Sequence, residues 1–480
     1  MSNERSDRAI RRTADTYGFT LNDEAVESYA TELDATAEVL GTLGATDPSD
    51  EPATALSEGD DAHNALRYTF SLSDGETGGG PLSGCRLGVK DNFAVAGVPM
   101  TCGSAALSYT PEYHATVVRR LLDAGGDVRA TTNMDEFAFF TTGETCAHGA
   151  IENPAADGAV PGGSSSGSGA AIAAGRLDAA LGSDTGGSVR IPASYCGVVG
   201  LKPTHRSVPR FGFVDLAPSL DHVGVLAESV ALAADVFEVV AGPDGRDPST
   251  IGMPTPDVTL PDAVDGDRVG VVEEAMDGAD KDVREQVDAA VEGFEEAGVA
   301  VNRVSLPTFE AIPLALLATT KIEFARLFAD NGLVFGTGTG YSEGLRAALA
   351  TLDLDQLGDT VADQLVVGGG LLETAAGRHY VAAQRVRETF TREVDEALGA
   401  YDALVLPTTP TTAPPFGTVT NQAAFVQTIS HTAPFNLTGH PALSVPCGTA
   451  DDKPVGCQVV TARHDESTAL ALGSVAERSL

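Results

Sequence analysis

Gly162-Gly-Ser-Ser-Ser-Gly-Ser-Gly169 and, further along the chain, Gly182-Ser-Asp-Thr-Gly-Gly-Ser-Val-Arg-Ile-Pro192 are two Gly/Ser-rich turns that between them offer a serine nucleophile and main-chain donors. A Gly-Gly-Ser turn lets backbone N–H groups approach a reacting carbonyl, because glycine has no Cβ in the way and tolerates the φ values that aim successive amides at one point. Serine becomes a nucleophile only when a neighbouring group takes its proton, and histidine held by a carboxylate is the usual partner. Neither turn contains a histidine. A neutral lysine is the other base available, since burial disfavours the ammonium form.

Lys90, in Leu87-Gly-Val-Lys-Asp-Asn-Phe93, fits that need. The chain has five lysines, at 90, 202, 281, 321 and 453, and its remaining cationic side chains are arginines, which do not deprotonate in proteins. Taken alone, Lys90 reads equally as a titratable amine or as a salt-bridge partner of Asp91.

Other uses of a Gly/Ser run are a flexible linker, a phosphate loop and a Ser-His-Asp hydrolase. The packed-core stretch Ala170-Ala-Ile-Ala-Ala174 and the strand-like Ala179-Ala-Leu-Gly182 follow the first turn and oppose a linker. No Gly-Lys-Ser/Thr ending is present, and Gly187-Ser-Val-Arg190 lacks the Gly-x-Ser-x-Gly elbow.

The run from Gly162 to Pro192 resembles the diagnostic pattern of the amidase signature family. The resemblance reaches from about Gly80 to the C-terminus through Gly88-Val-Lys-Asp-Asn92, Thr132-Asn-Met-Asp-Glu-Phe137, Gly197-Val-Val-Gly-Leu-Lys-Pro-Thr204, Pro407-Thr-Thr-Pro410 and Asn436-Leu-Thr-Gly-His-Pro-Ala-Leu-Ser-Val-Pro446. It implies an α/β fold, a mixed central β-sheet covered by helices on both faces. It also implies an amide hydrolase without cofactor or metal, with Ser188 as the acylated nucleophile, Ser164 as the bridging serine after a cis peptide bond, and Lys90 as the base. The amides of Thr185, Gly186, Gly187 and Ser188 would form the oxyanion hole, braced by Asp184 and Arg190.

Sixty-eight acidic against 30 basic residues give a net charge of −38, which opposes a nucleic-acid or anionic-membrane surface. Acid enrichment, scarce lysine and no tryptophan suggest a cytoplasm of high salt, where screening removes most self-repulsion. A plainly acidic mesophilic protein is the alternative. Six cysteines without Cys-x-x-Cys spacing suggest reduced core residues rather than zinc ligands or disulfides. No export signal and no apolar run of about 20 residues is apparent, so a soluble, cytoplasmic protein is expected.

Asn22 is placed to cap a helix with apolar positions Val26, Tyr29, Leu33, Ala37 and Leu40. This N-terminal helical element, with the acidic Gly/Pro/Ser-rich connection at 44–84, makes residues 1–80 one segment and 81–480 the enzymatic domain. From Cys85 onward, strand-like Leu87–Val89, Val128–Thr131, Arg268–Val272, Val299–Val304, Ala403–Leu406 and Leu443–Val445 alternate with helix-like Ala115–Leu122 and Asp282–Ala297. The 307–370 stretch reads as helical, interrupted by glycines at Gly336–Gly340 and Gly368–Gly370, and serves either as a substrate-facing insertion or as a surface layer.

Within the family, the glutaminase A subunits of tRNA-dependent glutamyl amidotransferases share Asn133-Met-Asp-Glu-Phe137 and Gly182-Ser-Asp-Thr-Gly-Gly-Ser188 almost verbatim. They pair the charges of glutamine with a base ahead of a glycine-containing helix and an acid before the Asn-Leu-x-Gly-x-Pro segment. Here Val361–Gly368 holds no base, and Asn421–Pro434 no acid. Phe137, Phe139 and Phe140 fit either an apolar substrate pocket or the core. The expectation is therefore a free-standing amidohydrolase acting on a small, neutral amide, without direct nucleic-acid or membrane partners and with a homodimer allowed. The alternatives are the glutaminase A subunit of an amidotransferase and a catalytically silent binding protein.

Overall fold

Ala403, Leu404, Val405 and Leu406 are all buried, yet successive residues join different apolar clusters: Ala403 and Val405 one, Leu404 and Leu406 another. A strand sends alternate side chains to opposite faces, so a run apolar at every position belongs to a sheet covered on both sides. The computed structural model describes residues 2–43, 48–72, 79–256, 258–260, 264–336 and 342–478.

The strands are β1 (Thr54–Glu58), β2 (Leu66–Ser71), β3 (Arg86–Lys90), β4 (Asp127–Thr132), β5 (Ala179–Asp184), β6 (Val199–Lys202), β7 (His222–Ala227), β8 (Arg268–Val272), β9 (Ala300–Val304), β10 (Ala403–Pro407), β11 (Ala442–Ala450) and β12 (Lys453–Thr461). They form one mixed sheet in the order β1-β2-β4-β3-β5-β7-β6-β11-β12-β10-β8-β9. β3 runs parallel to both β4 and β5, and β8 parallel to β9 and β10. Helices Thr116–Asp123, Val230–Val240, Lys281–Glu296 and Glu466–Arg478 contribute to one apolar cluster, and helices Ile312–Ala329, Arg378–Leu398 and Ala433–Thr438 to the other. The expected mixed α/β architecture is the one found.

The chain divides into Met1–Pro48 and Ser49–Leu480. The first unit is a pair of helices, Ser2–Tyr17 and Asp23–Leu40, held by a hydrogen bond from Ser6 Oγ to Asp34 (2.5 Å). Asn22 is the N-cap as expected, its side chain accepting from the Ala25 amide at 2.8 Å.

Two expectations need correction. Residues 44–84 are not a plain connection: β1 and β2 lie there, and Leu66 and Phe70 of β2 are buried, so alternation outweighs the acidic composition. The division accordingly falls at Pro48 rather than near residue 80. Gly368–Gly370 does not interrupt a helix either; Asp359–Thr374 runs through it. A Cβ at Gly368 would lie 2.0 Å from the carbonyl oxygen of Lys321, so the glycine is what lets this helix close on Ile312–Ala329. Residues 337–340 of the other glycine stretch lie outside the described residues. All six cysteines are free, and five are buried.

Candidate active site

Parallel pairing of Leu87–Val89 with Ala179–Leu181 sets the C-terminal ends of β3 and β5 side by side, and those ends are Lys90 and Ser183-Asp184. In α/β sheets the carboxyl ends of parallel strands are where reactive groups collect. The Lys90 side chain is fully buried and its Nζ lies 2.7 Å from Ser164 Oγ, 2.8 Å from Ser183 Oγ and 3.1 Å from Ser165 Oγ. Burial pulls its ammonium down to about 7, against the pull of Asp135, Asp184 and Asp221. It forms no salt bridge with Asp91. That carboxylate instead accepts from the Thr101 and Gly103 amides and the Thr101 hydroxyl, and burial raises it to about 7.

The two Gly/Ser turns meet. Gly162 and Gly163 take positive φ (82° and 61°), and the Ser165 amide donates to the Ser188 carbonyl at 3.2 Å. A Cβ on Gly163 would stand 2.4 Å from Pro192 Cδ, so only glycine allows the approach. The expected cis bond before Ser164 is absent: there is no cis peptide among the described residues, and the two left-handed glycines make the turn instead.

Asp184 organises the second turn. It accepts from the Gly187 amide (2.8 Å), the Val189 amide (3.2 Å), Asn436 Nδ2 (2.8 Å) and Arg190. Burial alone would raise its pKa, but Arg190, Lys202 and the Asn436 amide hold it at about 2. Arg190 also donates to the Thr432 carbonyl (2.9 Å), Gln458 Oε1 (2.7 Å) and Asn436 Oδ1 (2.7 Å). The Gly187 N–H is thus directed to Asp184 and not to a substrate, which corrects the four-amide expectation. The Gly186 and Ser188 amides make no hydrogen bond among the described residues. Thr185 is fixed by its hydroxyl, which donates to Asp221 at 2.5 Å, and Asp221 also accepts from the Leu216 and Ala217 amides.

A cavity opens beside Ser188, Thr185 and Gly186, walled by Phe139, Phe140, Leu316 and Ile429 among others, all of them uncharged. Phe139 and Phe140 therefore reach the cavity, held by Phe324 and Phe425 at ring distances of 5.0 and 5.4 Å. Phe137 does not: it packs edge-on against Phe328 at 5.0 Å and lines a separate small void. Phe139, Phe140, Leu317 and Phe425 also border a second, larger cavity of about 670 Å³, so the two adjoin.

Sequence reasoning missed Asp221, Thr432 and Gln458. Asn436 opens a segment already noted as family-like and Thr432 lies four residues before it, whereas Gln458, on β12, carried no signal because its partner is 268 positions away in the chain. Among the described residues no three His, Cys, Asp or Glu side chains converge as metal ligands, and no helix is long and apolar enough to cross a membrane.

Residues 53–470 match the family described as Amidase. The A subunit of glutamyl-tRNA(Gln) amidotransferase from the halophilic archaeon Natronomonas pharaonis is 43% identical over 425 residues, covering 86% of this chain and 99% of that protein. The crystal structure of the corresponding A subunit from Thermotoga maritima superposes with a TM-score of 0.71 at 31% identity, covering 91% of this chain and 89% of that one. The 6-aminohexanoate cyclic dimer hydrolase bound to its substrate gives 0.73 at 27% identity, covering 84% and 86%. These likenesses overturn the expectation of a free-standing protein with at most a second copy of itself as partner: the curated relative is by name one subunit of a larger enzyme.

Proposed function

Because this chain belongs to the amidase family, and so to the enzymes that cleave amide bonds, we propose that it works as the amide-cleaving A subunit of an amidotransferase of the glutamyl-tRNA(Gln) type, releasing ammonia from a carboxamide. The observation that carries the proposal is the buried contact of Lys90 Nζ with Ser164 Oγ at 2.7 Å, in a chain alike to such a subunit over 99% of that subunit's length.

In this mechanism the neutral Lys90 amine takes the Ser164 proton while Ser164 Oγ takes that of Ser188, whose Oγ attacks the carboxamide carbon. The carbonyl π pair moves onto oxygen, and that oxyanion is met by the free amides of Gly186 and Ser188. Collapse breaks the C–N bond, the relay returns a proton to the departing nitrogen, and ammonia leaves an acyl ester on Ser188. Water then adds through the same relay to release the carboxylate. Asp184 and Arg190 keep the turn rigid, and Asp221 keeps Thr185 in place.

The uncharged wall of the Ser188 cavity favours a second reading, in which the same chemistry acts on a carboxamide bearing no charge near the scissile bond. Ammonia release from glutamine and from neutral amides in molar KCl, with and without Ser188→Ala, tests both. Release from neither, together with failure of Ser188 to label with a fluorophosphonate, would refute the catalytic assignment.

A further inference from the structure

Another cavity, of about 390 Å³, opens where the last turns of the Ile312–Ala329 helix meet Tyr380 of the Arg378–Leu398 helix and the chain at Arg206 and Pro218-Ser219. It shares no lining residue with the cavity at Ser188 or with the larger one beside that, so it stands apart from the amide-cleaving site.

Four arginines gather around it. Arg326 pairs with Asp330 at 2.8 Å. Arg210, fully buried, pairs with Asp215 at 2.9 Å and donates to the Pro218 carbonyl at 3.0 Å, while its Nε and Nη2 have no partner among the described residues. Arg206 and Arg387 have no carboxylate partner among the described residues. Arg206 borders the cavity, exposed. Arg387, half-buried, makes only long contacts, with the Ser219 carbonyl at 3.3 Å and Gln384 Oε1 at 3.5 Å. Burial lowers its guanidinium; Glu323 pulls it back up, and the charges of Arg206 and Arg463 push it down again. Glu323, the remaining acid of the cavity, is already engaged by the Ser219 amide (3.0 Å), the Ser219 hydroxyl and the Tyr380 hydroxyl (2.7 Å). Two cations that repel each other are thus held together without a counter-ion. A chain with 68 acidic against 30 basic residues has carboxylates to spare for arginines that serve structure alone.

We propose that this cavity binds the carboxylate of a small organic acid: Arg206 takes the carboxylate, Arg387 supplies a second positive charge, and the apolar body of the acid lies against Leu327, Leu333 and Phe335. A guanidinium presents its N–H groups as a planar fork that matches the two oxygens of a carboxylate. The hydroxyls of Ser219 and Tyr380 are spent on Glu323, which leaves the arginines as the donors. Phe335 is 78% exposed beside them, and an acid with an apolar body covers it where a bare inorganic anion does not. The volume lies in the range that holds a small molecule.

The test is calorimetric titration of the full chain in molar KCl with benzoate, hexanoate, benzyl alcohol and inorganic phosphate. At least one of the two acids should bind, and more tightly than benzyl alcohol or phosphate. Arg206→Ala, at an exposed position, should weaken that binding about fivefold or more, and Arg206→Lys should restore part of it because it keeps the charge. Arg176→Ala, an exposed arginine bordering neither this cavity nor the one at Ser188, is the control that should leave binding as it was. An acid seated at Ser188 instead would bind regardless of Arg206, because that cavity is uncharged. Binding of neither acid, binding insensitive to Arg206→Ala, or phosphate or benzyl alcohol binding as tightly as the acids would overturn the assignment.

Discussion

Arg190 reaches both carboxylate oxygens of Asp184, Nε at 3.0 Å and Nη2 at 2.9 Å, and neither side chain has any exposed surface. The pair holds the Ser188 turn between two sheet strands and the Thr432–Asn436 segment. Removing one member of a buried pair strands the other's charge, at a cost of about 3–5 kcal/mol. Arg190→Met is therefore expected to lower the thermal midpoint clearly, as followed by circular dichroism in molar KCl. A midpoint equal to wild type would show the pair to be dispensable.

Lys90→Arg is expected to fold yet lose turnover by about 10²-fold or more, since a guanidinium cannot take the Ser164 proton. Ammonia release and circular dichroism on the same preparation decide it. Wild-type turnover would refute the neutral-amine role.

Activity should rise with pH through about 7. Burial lowers the Lys90 ammonium to about 7, so below that value the amine is protonated and cannot accept, and above it the base is free. Asp91, raised by burial to about 7, titrates in the same range, so the profile should be repeated with Asp91→Asn. The limb that persists belongs to Lys90; loss of the limb would move the titration to Asp91.

Gly187→Ala tests the second turn. Its φ of 131° suits glycine, and an added Cβ would lie 2.1 Å from Thr432 Oγ1, the donor to the Gly186 carbonyl. The expected outcome is soluble protein with turnover down by about 10²-fold, the scale of losing one oxyanion donor. Unchanged kcat would place the turn outside the chemistry.

Dilute buffer should destabilise the chain. With a net charge of −38, self-repulsion is strong until the Debye length shrinks to about 3 Å near 1 M salt. The thermal midpoint should climb steadily with KCl, and a flat response would argue for the plainly acidic alternative.

Much of this was legible in local sequence. β8 begins and ends where the strand-like Arg268–Val272 does, the Asn22 cap forms, and Lys90 falls at the end of its strand because apolar periodicity stops there. What local pattern could not show are contacts made by distant segments. Gln458 and Thr432 matter through Arg190, and Gly368 matters through the helix that it lets close on Ile312–Ala329. Composition misled in two places: acidity hid β1 and β2, and glycine content suggested breaks in a helix that tertiary packing carries straight through. Phe137 shows the same limit, since three nearby phenylalanines look alike in sequence while backbone turns at Phe137 and Ala138, both at positive φ, send them to different voids.

Arg190 draws its partners from positions 184, 432, 436 and 458, and the last of these sits on β12, far along the chain from the two Gly/Ser turns. A ribosome must have made residue 458, 268 positions beyond Arg190, before that anchorage can exist. A nascent chain therefore exposes both serines and the lysine long before it holds them rigid, so that hydrolytic power is expected to switch on only after β12 has been made.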